Sequence, residues 1–239
     1  MSEAPILITG VGKRAGLHLA RTFLERGQPV IGTFRSERPA LEELRERGAT
    51  LFACDFDRDP DLERLPSDVG ALTERLRAVI HNASDWLSEA GPEPPAEVFR
   101  RMMRVHAEAP YRLNLALAPL LERQASLGGS ADIIHLGDWV SARGSKKHIA
   151  YAASKAAQDN LTLSFAARLA PAVKVNSIAP ALIAFNEGDD PAYREKALAK
   201  SLLRREGGWD ELQHQVDYLL DSRYVTGRII AMDGGRHLA

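Results

Sequence analysis

The sequence predicts one α/β domain, in which about seven parallel strands form a sheet with helices on both faces. Short apolar segments recur along the 239 residues, at 5–9, 29–34, 50–53, 78–81, 132–136, 174–178 and 228–232. Stretches with helical periodicity alternate with them, at 16–25, 40–47, 97–122, 151–169 and 210–220. Several strands show little polar alternation, as expected when both sheet faces are covered. The length fits a single domain spanning residues 1–239.

Composition and charge narrow the class of function. The chain has 31 basic and 32 acidic residues and a formal net charge of -1, so no large field attracts nucleic acid or an anionic membrane. A lone cysteine, Cys54, excludes an internal disulfide, leaves no metal cluster and is expected to be a buried strand residue. The N-terminus lacks the features of a signal peptide, and no segment has the ~20 apolar residues of a membrane span. These features predict a cytoplasmic protein that acts on a small molecule, without a metal.

A glycine-rich turn follows the first strand. It reads Thr9-Gly10-Val11-Gly12-Lys13-Arg14-Ala15-Gly16 and leads into a helix. Gly10 permits a sharp turn and Gly16 permits close packing, while free backbone N–H groups at the helix N-terminus favour a pyrophosphate. Spaced glycines alone also occur in plain structural turns, but this position between strand and helix favours a dinucleotide site.

The end of the second strand indicates which dinucleotide binds. An Asp or Glu there favours the free 2′-hydroxyl of NAD, but this strand ends Thr33-Phe34-Arg35-Ser36. Arg35, together with Arg14 of the glycine turn, is expected to clamp a 2′-phosphate. The alternative is that both arginines are solvated surface residues. We therefore expect NADPH rather than NADH.

Tyr151 and Lys155 stand four residues apart in a strongly helical segment and so share one helix face. A nearby ammonium stabilises a phenolate, so Lys155 is expected to lower the pKa of Tyr151 from its ordinary value of ~10. Proton exchange would then be easier near neutral pH. Such a pair is common by chance, and its meaning depends on the other motifs.

Taken together in order, these motifs resemble the short-chain dehydrogenase/reductase family over nearly the full length. The resemblance also rests on Asp55 after the third strand, on residues 81–84 (His-Asn-Ala-Ser), on residues 151–155 (Tyr-Ala-Ala-Ser-Lys) and on residues 175–180 (Val-Asn-Ser-Ile-Ala-Pro). It implies a Rossmann-like doubly wound fold, with Tyr151 as proton donor, Lys155 on the nicotinamide ribose and Asp55 at the adenine. The cofactor-binding residues that it implies are Gly10, Lys13, Arg14, Ala15, Arg35, Ser36, Asp55, Asn82, Ala83, Tyr151, Lys155, Pro180 and Ile183.

Two positions depart from the common family pattern. The residue thirteen before Tyr151, usually a serine, is Asp138. An ionised carboxylate only accepts hydrogen bonds and would repel a developing alkoxide, so simple ketone reduction is disfavoured. His106 replaces an asparagine of the preceding long helix, which puts the usual lysine and water proton relay in question.

Asp138, the arginine-rich turn and an Arg-Ser end of the second strand resemble the pteridine reductase branch of the family, and within it bacterial enzymes that reduce dihydromonapterin. Trp86, two residues beyond the Asn-Ala-Ser motif, is then expected to stack on a flat pterin, although an aromatic residue there also fits ordinary packing. The resemblance implies NADPH-dependent reduction of a 7,8-dihydropterin, with Asp138, Tyr151 and Lys155 as catalytic residues and Trp86, Asp138 and Tyr151 at the substrate. It leaves open whether Tyr151 or a water delivers the proton to N5.

The remaining expectations concern the rest of the chain and the rival functions. Residues 182–208 are charged and interrupted by Pro191 and Gly207, which predicts a substrate-covering flap. Phe185, Asn186 and Glu187 within it are weaker candidates for substrate contact. The family resemblance implies a homotetramer. The rivals are a carbonyl reductase with a 3-oxoacyl or ketone substrate and a non-catalytic NADPH-binding regulator.

Overall fold

A computed structural model describes residues 3–239, which contain one sheet of seven parallel strands in the order β3-β2-β1-β4-β5-β6-β7. The parallel pairing runs from β3 to β7 without a break. The strands are β1 (Ile6–Ile8), β2 (Val30–Phe34), β3 (Thr50–Ala53), β4 (Ala78–His81), β5 (Asp132–Leu136), β6 (Lys174–Pro180) and β7 (Arg228–Met232). The predicted fold class is confirmed.

Helices connect the strands and cover the sheet. They are α1 (Arg14–Glu25), α2 (Pro39–Glu46), α3 (Asp59–Leu72), α4 (Pro95–Met103), α5 (Ala109–Ser126), α6 (Ile149–Leu169), α7 (Pro191–Leu198) and α8 (Trp209–Asp221). A short π-helical segment, Arg104–Glu108, joins α4 to α5. The single helix expected at 97–122 is therefore two α-helices connected without a break by a π-helical turn. Short 3-10 turns occur at Trp139–Ala142 and Arg236–Leu238. Within residues 3–239, none of these helices has the length and apolar character needed to span a bilayer.

Two helices were not among the predicted ones, and each has a physical reason. Helix α3 contains Pro66, which weakens its helical pattern, yet Leu62, Leu65 and Val69 bury its inner face. Helix α7 lies inside the segment predicted as a flap, and Asp190 caps its N-terminus through bonds to the N–H groups of residues 192 and 193. Tertiary packing and capping therefore form helices where periodicity was weak.

The core forms two layers, one on each face of the sheet. Alternate strand residues point to opposite faces, so Leu7 and Val79 pack with α3, α5 and α6, while Ile8 and Ile80 pack with α1, α2 and α8. Cys54 is buried, as expected, but it lies directly after β3 and not in a strand, and burial raises the pKa of its thiol to about 12. Strands β2 and β3 are added on one side of β1, and β4 to β7 are added on its other side, so the order of strand addition changes between β1 and β4. Parallel α/β sheets bind ligands in the crevice outside the carboxyl ends of the strands at such a point. The predicted motifs at residues 9–16 and 82–86 meet at this crevice.

Candidate functional site

Asn82 and Thr9 hold the glycine turn against the end of β4. The Asn82 side-chain amide donates to the carbonyls of Thr9 at 2.8 Å and Gly10 at 2.9 Å. The buried Thr9 hydroxyl accepts the backbone N–H groups of Asn82 at 3.0 Å and Ala83 at 2.9 Å. A Cβ on Gly16 would lie 2.3 Å from the Gly10 carbonyl oxygen, so close packing requires glycine there. Gly10 itself has φ +74°, a left-handed conformation that favours glycine.

The N-terminus of α1 offers backbone donors to an anion. Among residues 3–239, no side chain caps this helix, and its first turn carries no acidic residue. The first N–H groups of a helix have no intrahelical acceptor, and its dipole favours negative charge. Lys13, Arg14 and Ala15 lie at this helix start. The turn therefore fits a dinucleotide pyrophosphate by its backbone geometry.

The two arginines predicted to clamp a 2′-phosphate have different partners. Arg35 donates to Asp85 at 2.8 Å, from the end of β2. Arg14 has φ +52° and reaches the opposite way, donating to the Asn186 side chain at 2.6 Å and the Ala184 carbonyl at 2.8 Å. The expected joint clamp is therefore not assembled in this structure, because Arg14 bonds residues 184 and 186 while Arg35 bonds Asp85.

Sequence reasoning missed a third arginine near the glycine turn. Arg38 immediately precedes α2, and its Cδ lies 3.4 Å from the position that a Cβ on Gly12 would occupy. Arg38 follows Arg35 by only three residues, and this spacing could have identified it as a further candidate near the cofactor. Ser36 and Asp55 lie, as predicted, after β2 and β3 at the same edge of the sheet. The Asp55 carboxylate accepts the backbone N–H of Asp57 at 3.1 Å.

Asp138 and Tyr151 share a hydrogen bond next to β5. The Tyr151 hydroxyl donates to Asp138 Oδ2 at 2.8 Å, and Asp138 Oδ1 accepts the backbone N–H of Val140 at 2.8 Å. Asp138 directly precedes the 3-10 turn Trp139–Ala142, and Tyr151 lies in the first turn of α6. Two of the three predicted catalytic side chains are thus in direct contact.

Lys155 completes this group one helical turn beyond Tyr151. It is 2 % exposed, and its Nζ lies 5.9 Å from the centroid of the Tyr151 ring. The Nζ donates to the Leu136 carbonyl at 2.7 Å and to Gln158 Oε1 at 3.3 Å. An ammonium has three hydrogens, so these two bonds leave one for a further acceptor.

The protonation of these three side chains follows from burial and from one another. Burial lowers the pKa of Lys155 to about 8, although the carboxylates of Asp138 and Asp159 act in the opposite direction. Burial also raises the pKa of Asp138 above its ordinary value. Burial, and then the Asp138 charge, raise the pKa of Tyr151 well above 10. The expectation that Lys155 lowers the Tyr151 pKa is therefore wrong for this structure, because burial and the Asp138 carboxylate raise this pKa by more than the hydrogen bond with Ser84 lowers it.

His106 lies in the π-helical segment, behind Tyr151. Its Nε2 is 2.8 Å from the Ser84 hydroxyl and its Nδ1 is 2.8 Å from the Ser154 hydroxyl. Its ring meets the Tyr151 ring edge-on, with centroids 5.3 Å apart. Burial, followed by the Lys155 charge, lowers the pKa of His106 well below 6.5, so the imidazole is neutral. The residue at the usual asparagine position thus contacts two hydroxyls instead of Lys155.

The structure places Trp86 beside His148 and residues 182–208 after the end of β6. The Trp86 side chain is highly exposed, and its ring lies against His148, with centroids 4.2 Å apart. Pro180 ends β6, and the segment 182–208 closes on itself through bonds from Gly207 N to the Leu182 carbonyl at 2.9 Å and from Gly208 N to the Ile183 carbonyl at 2.8 Å. Arg14 joins the glycine turn to this segment through its bonds to residues 184 and 186.

Comparisons with known proteins agree with this geometry. A family model described as enoyl-(acyl carrier protein) reductase, of the short-chain dehydrogenase/reductase family, matches residues 10–237. Dihydromonapterin reductase from Klebsiella pneumoniae is 54 % identical over 234 residues, covering 98 % of this chain and 97 % of the relative. Dihydromonapterin reductase from Enterobacter sp. (strain 638) is 53 % identical over 236 residues, covering 99 % and 98 %.

Two solved structures with bound NADP have the same fold. FolM alternative dihydrofolate reductase 1 from Brucella canis, complexed with NADP, superposes with a TM-score of 0.88 at 25 % identity, covering 100 % of this chain and 95 % of that one. The RhlG/NADP active-site complex from Pseudomonas aeruginosa has a TM-score of 0.89 at 26 % identity, covering 98 % and 97 %. With its family model, its near full-length relatives and its parallel sheet, the chain belongs to the short-chain dehydrogenase/reductase family.

Proposed function

We propose that this chain reduces a 7,8-dihydropterin to the tetrahydropterin with NADPH, and that dihydromonapterin is its substrate. Relatives named dihydromonapterin reductase, 51–54 % identical over nearly the full length, support the assignment. One observation carries it: a carboxylate, Asp138, is hydrogen-bonded to the Tyr151 hydroxyl beside Lys155.

The carboxylate favours a pterin over a ketone because of hydrogen-bond chemistry. A pterin presents N–H and amino donors along one edge, and an ionised Asp138 offers acceptors to them. Ketone reduction develops negative charge on the carbonyl oxygen, which the same carboxylate would repel. The family-model name refers to acyl substrates, but this position disfavours them.

The residues at the glycine turn fit NADPH by the geometry described above. The N–H groups of residues 13–15 would hold the pyrophosphate, Asn82 and Ala83 would shape the turn, and Arg35 would hold the 2′-phosphate. When bound, NADPH supplies the hydride that C6 of the substrate accepts. Lys155 would use its remaining hydrogen on the nicotinamide ribose.

Tyr151 is proposed as the source of the proton that N5 receives. A tyrosine hydroxyl is protonated at neutral pH, the state that an acid requires, but the raised pKa of Tyr151 makes it a weaker acid until the substrate binds. Substrate N–H groups that bind Asp138 compete with Tyr151 for this carboxylate and so weaken one of the two influences that raise the Tyr151 pKa. Trp86 would cover the pterin ring from the outer side, and residues 182–208 would close over it.

The assembly and location of the protein are part of the same proposal. We expect a homotetramer in the cytoplasm, built through the long helices and the edge strand β7. Apolar side chains are exposed on these elements, with Tyr111 on α5, Leu163 on α6 and Ile229 on β7. A monomeric mass in solution would contradict the assembly.

An assay of NADPH oxidation tests the function. The substrates are dihydromonapterin, dihydrobiopterin, dihydrofolate and a simple ketone, and the enzyme is compared with Asp138→Ser and with Asp138→Asn. The wild type should reduce the dihydropterins, with dihydrofolate slower and the ketone slowest. Asp138→Ser should lose ~10–100-fold in kcat/KM for dihydromonapterin, because a hydrogen bond to a charged group contributes ~1.5–3 kcal/mol.

The same assay separates the rival functions. Asp138→Asn keeps the shape and one acceptor oxygen, so it should fall between the wild type and Asp138→Ser. Wild-type turnover with the ketone alone would establish a carbonyl reductase and refute the pterin assignment. If none of the four substrates is turned over although NADPH binds, the chain is a non-catalytic NADPH-binding protein.

A further inference from the structure

An acidic side chain lies at the end of β2, where the sequence of the strand shows none. Arg35 NH1 donates to Asp85 Oδ2 at 2.8 Å, and its NH2 is 3.5 Å from Asp85 Oδ1. Asp85 belongs to the segment after β4, and the next residue is Trp86. Its side chain is 17 % exposed, whereas that of Arg35 is 49 % exposed. A partly buried carboxylate thus occupies the fork of the arginine proposed to hold the 2′-phosphate.

A second arginine keeps Asp85 paired independently of Arg35. Arg101 of α4 donates to Asp85 Oδ2 through Nε at 2.9 Å and through NH2 at 2.6 Å. A partly buried carboxylate without a partner would be costly, but Arg101 satisfies it when Arg35 turns away. Arg35 is the more exposed of the two arginines, at 49 % against 31 %. Arg35 is therefore the partner that can be released.

Two further carboxylates contribute to the negative charge at this end of the cleft. Asp55 and Asp57 both act electrostatically on Arg35, and Asp57 lies 3.2 Å from Arg101 Nε. A 2′-phosphate would bring about two more negative charges to this cluster, whereas the 2′-hydroxyl of NADH brings none. A hydroxyl can also donate to a carboxylate, which a phosphate dianion cannot do.

We infer that Asp85 is a specificity-determining residue that lowers the preference of this chain for NADPH over NADH. It competes with the 2′-phosphate for the Arg35 guanidinium and repels that phosphate, while it tolerates the 2′-hydroxyl of NADH. The inference rests on the proposed function, specifically on Arg35 as the residue that holds the 2′-phosphate. Because Asp85 is joined to Trp86, it also links the adenosine end of the cofactor site to the proposed pterin site.

Direct binding of the two cofactors tests this inference without turnover. Dissociation constants of NADPH and NADH are measured by fluorescence titration of the full chain, for the wild type and for Asp85→Asn. Asn keeps an acceptor oxygen for Arg101 and removes the charge. The ratio of the NADH constant to the NADPH constant should rise about two- to fivefold in Asp85→Asn, within the range that one partly exposed charge pair gives. Asp85→Ser is the second variant and should shift the ratio in the same direction.

Arg35→Gln and the double variant separate failure of the inference from failure of the proposed function. Arg35→Gln should lower the ratio, and adding Asp85→Asn to it should raise the ratio less than Asp85→Asn alone does, because the part of the effect that acts through Arg35 is lost. A ratio that falls in Arg35→Gln but does not rise in Asp85→Asn or Asp85→Ser overturns the role of Asp85 alone. A ratio unchanged in Arg35→Gln overturns the assignment of Arg35 as well. Loss of folding is recognised separately because it raises both dissociation constants, whereas the ratios above are compared between variants that still bind NADH as the wild type does.

Discussion

The two sides of the cleft are built differently. The inner wall, formed by Asp138, Tyr151 and Lys155, has its polar groups bonded to fixed parts of the fold, and Lys155 is 2 % exposed. The outer rim, formed by Arg35, Trp86 and residues 182–208, is joined by side-chain contacts between separate segments, and Trp86 is 65 % exposed. The inner wall is therefore held by contacts within the fold, whereas the proposed rim is held by contacts between more exposed side chains. Single substitutions should accordingly cost far more on the inner wall than on the rim.

Removing the Tyr151 hydroxyl should have the largest effect. Tyr151→Phe loses the proposed proton donor and leaves the Asp138 carboxylate without one of its bonds. We expect kcat for dihydromonapterin to fall about 10²–10⁴-fold with little change in KM, the usual contribution of a positioned acid. Steady-state NADPH oxidation measures both constants.

Tyr218→Phe is the matched control for this loss. It removes a hydroxyl from an exposed tyrosine of α8 and should leave turnover unchanged. Near-normal turnover in Tyr151→Phe would contradict the assignment and point to an ordered water as the donor. The inner wall would then act through the Asp138 carboxylate and the Lys155 ammonium.

The pH dependence of the reaction should report Lys155. Burial depresses its pKa to about 8, so the ammonium is lost as the pH rises through that value. We expect kcat/KM to decline above pH ~8, approaching tenfold per unit. In Lys155→Arg the guanidinium stays charged, so whatever activity remains should lack this decline. If Lys155→Arg showed the same decline in kcat/KM at alkaline pH, the decline would have to come from the titration of another group.

The same depressed pKa also makes a prediction for stability. Between pH about 8 and 10.5 the unfolded chain keeps a proton on Lys155 that the folded chain has lost. The free energy of unfolding therefore increases as the pH rises through this window, which means that the folded state becomes more stable. In Lys155→Met this contribution is absent, and chemical denaturation at several pH values measures the difference.

How much the sequence predicts also differs between the two sides. The spacing of Tyr151 and Lys155 and the carboxylate at residue 138 are local signals, and the structure brings Asp138 and Tyr151 into contact. The direction of the Tyr151 pKa shift was wrong because it depends on burial, which only packing determines. On the rim, the pairing of Arg35 with Asp85 joins residues fifty positions apart, and the left-handed Arg14 turns towards Asn186. Side-chain directions of this kind depend on tertiary contacts that motifs do not encode.

Truncating Trp86 should have the smallest effect, and it tests whether the rim contributes by stacking. One face of the indole lies against His148, which supports the ring while leaving the side chain largely exposed. An aromatic stack contributes ~0.5–1.5 kcal/mol beyond burial, so Trp86→Ala should lower kcat/KM for dihydromonapterin ~3–10-fold, through KM rather than kcat. Trp86→Phe keeps an aromatic face and should recover most of the loss. A fall in kcat at unchanged KM would instead place Trp86 with the inner wall, because a side chain that only binds the ring stabilises the ground state and the transition state alike.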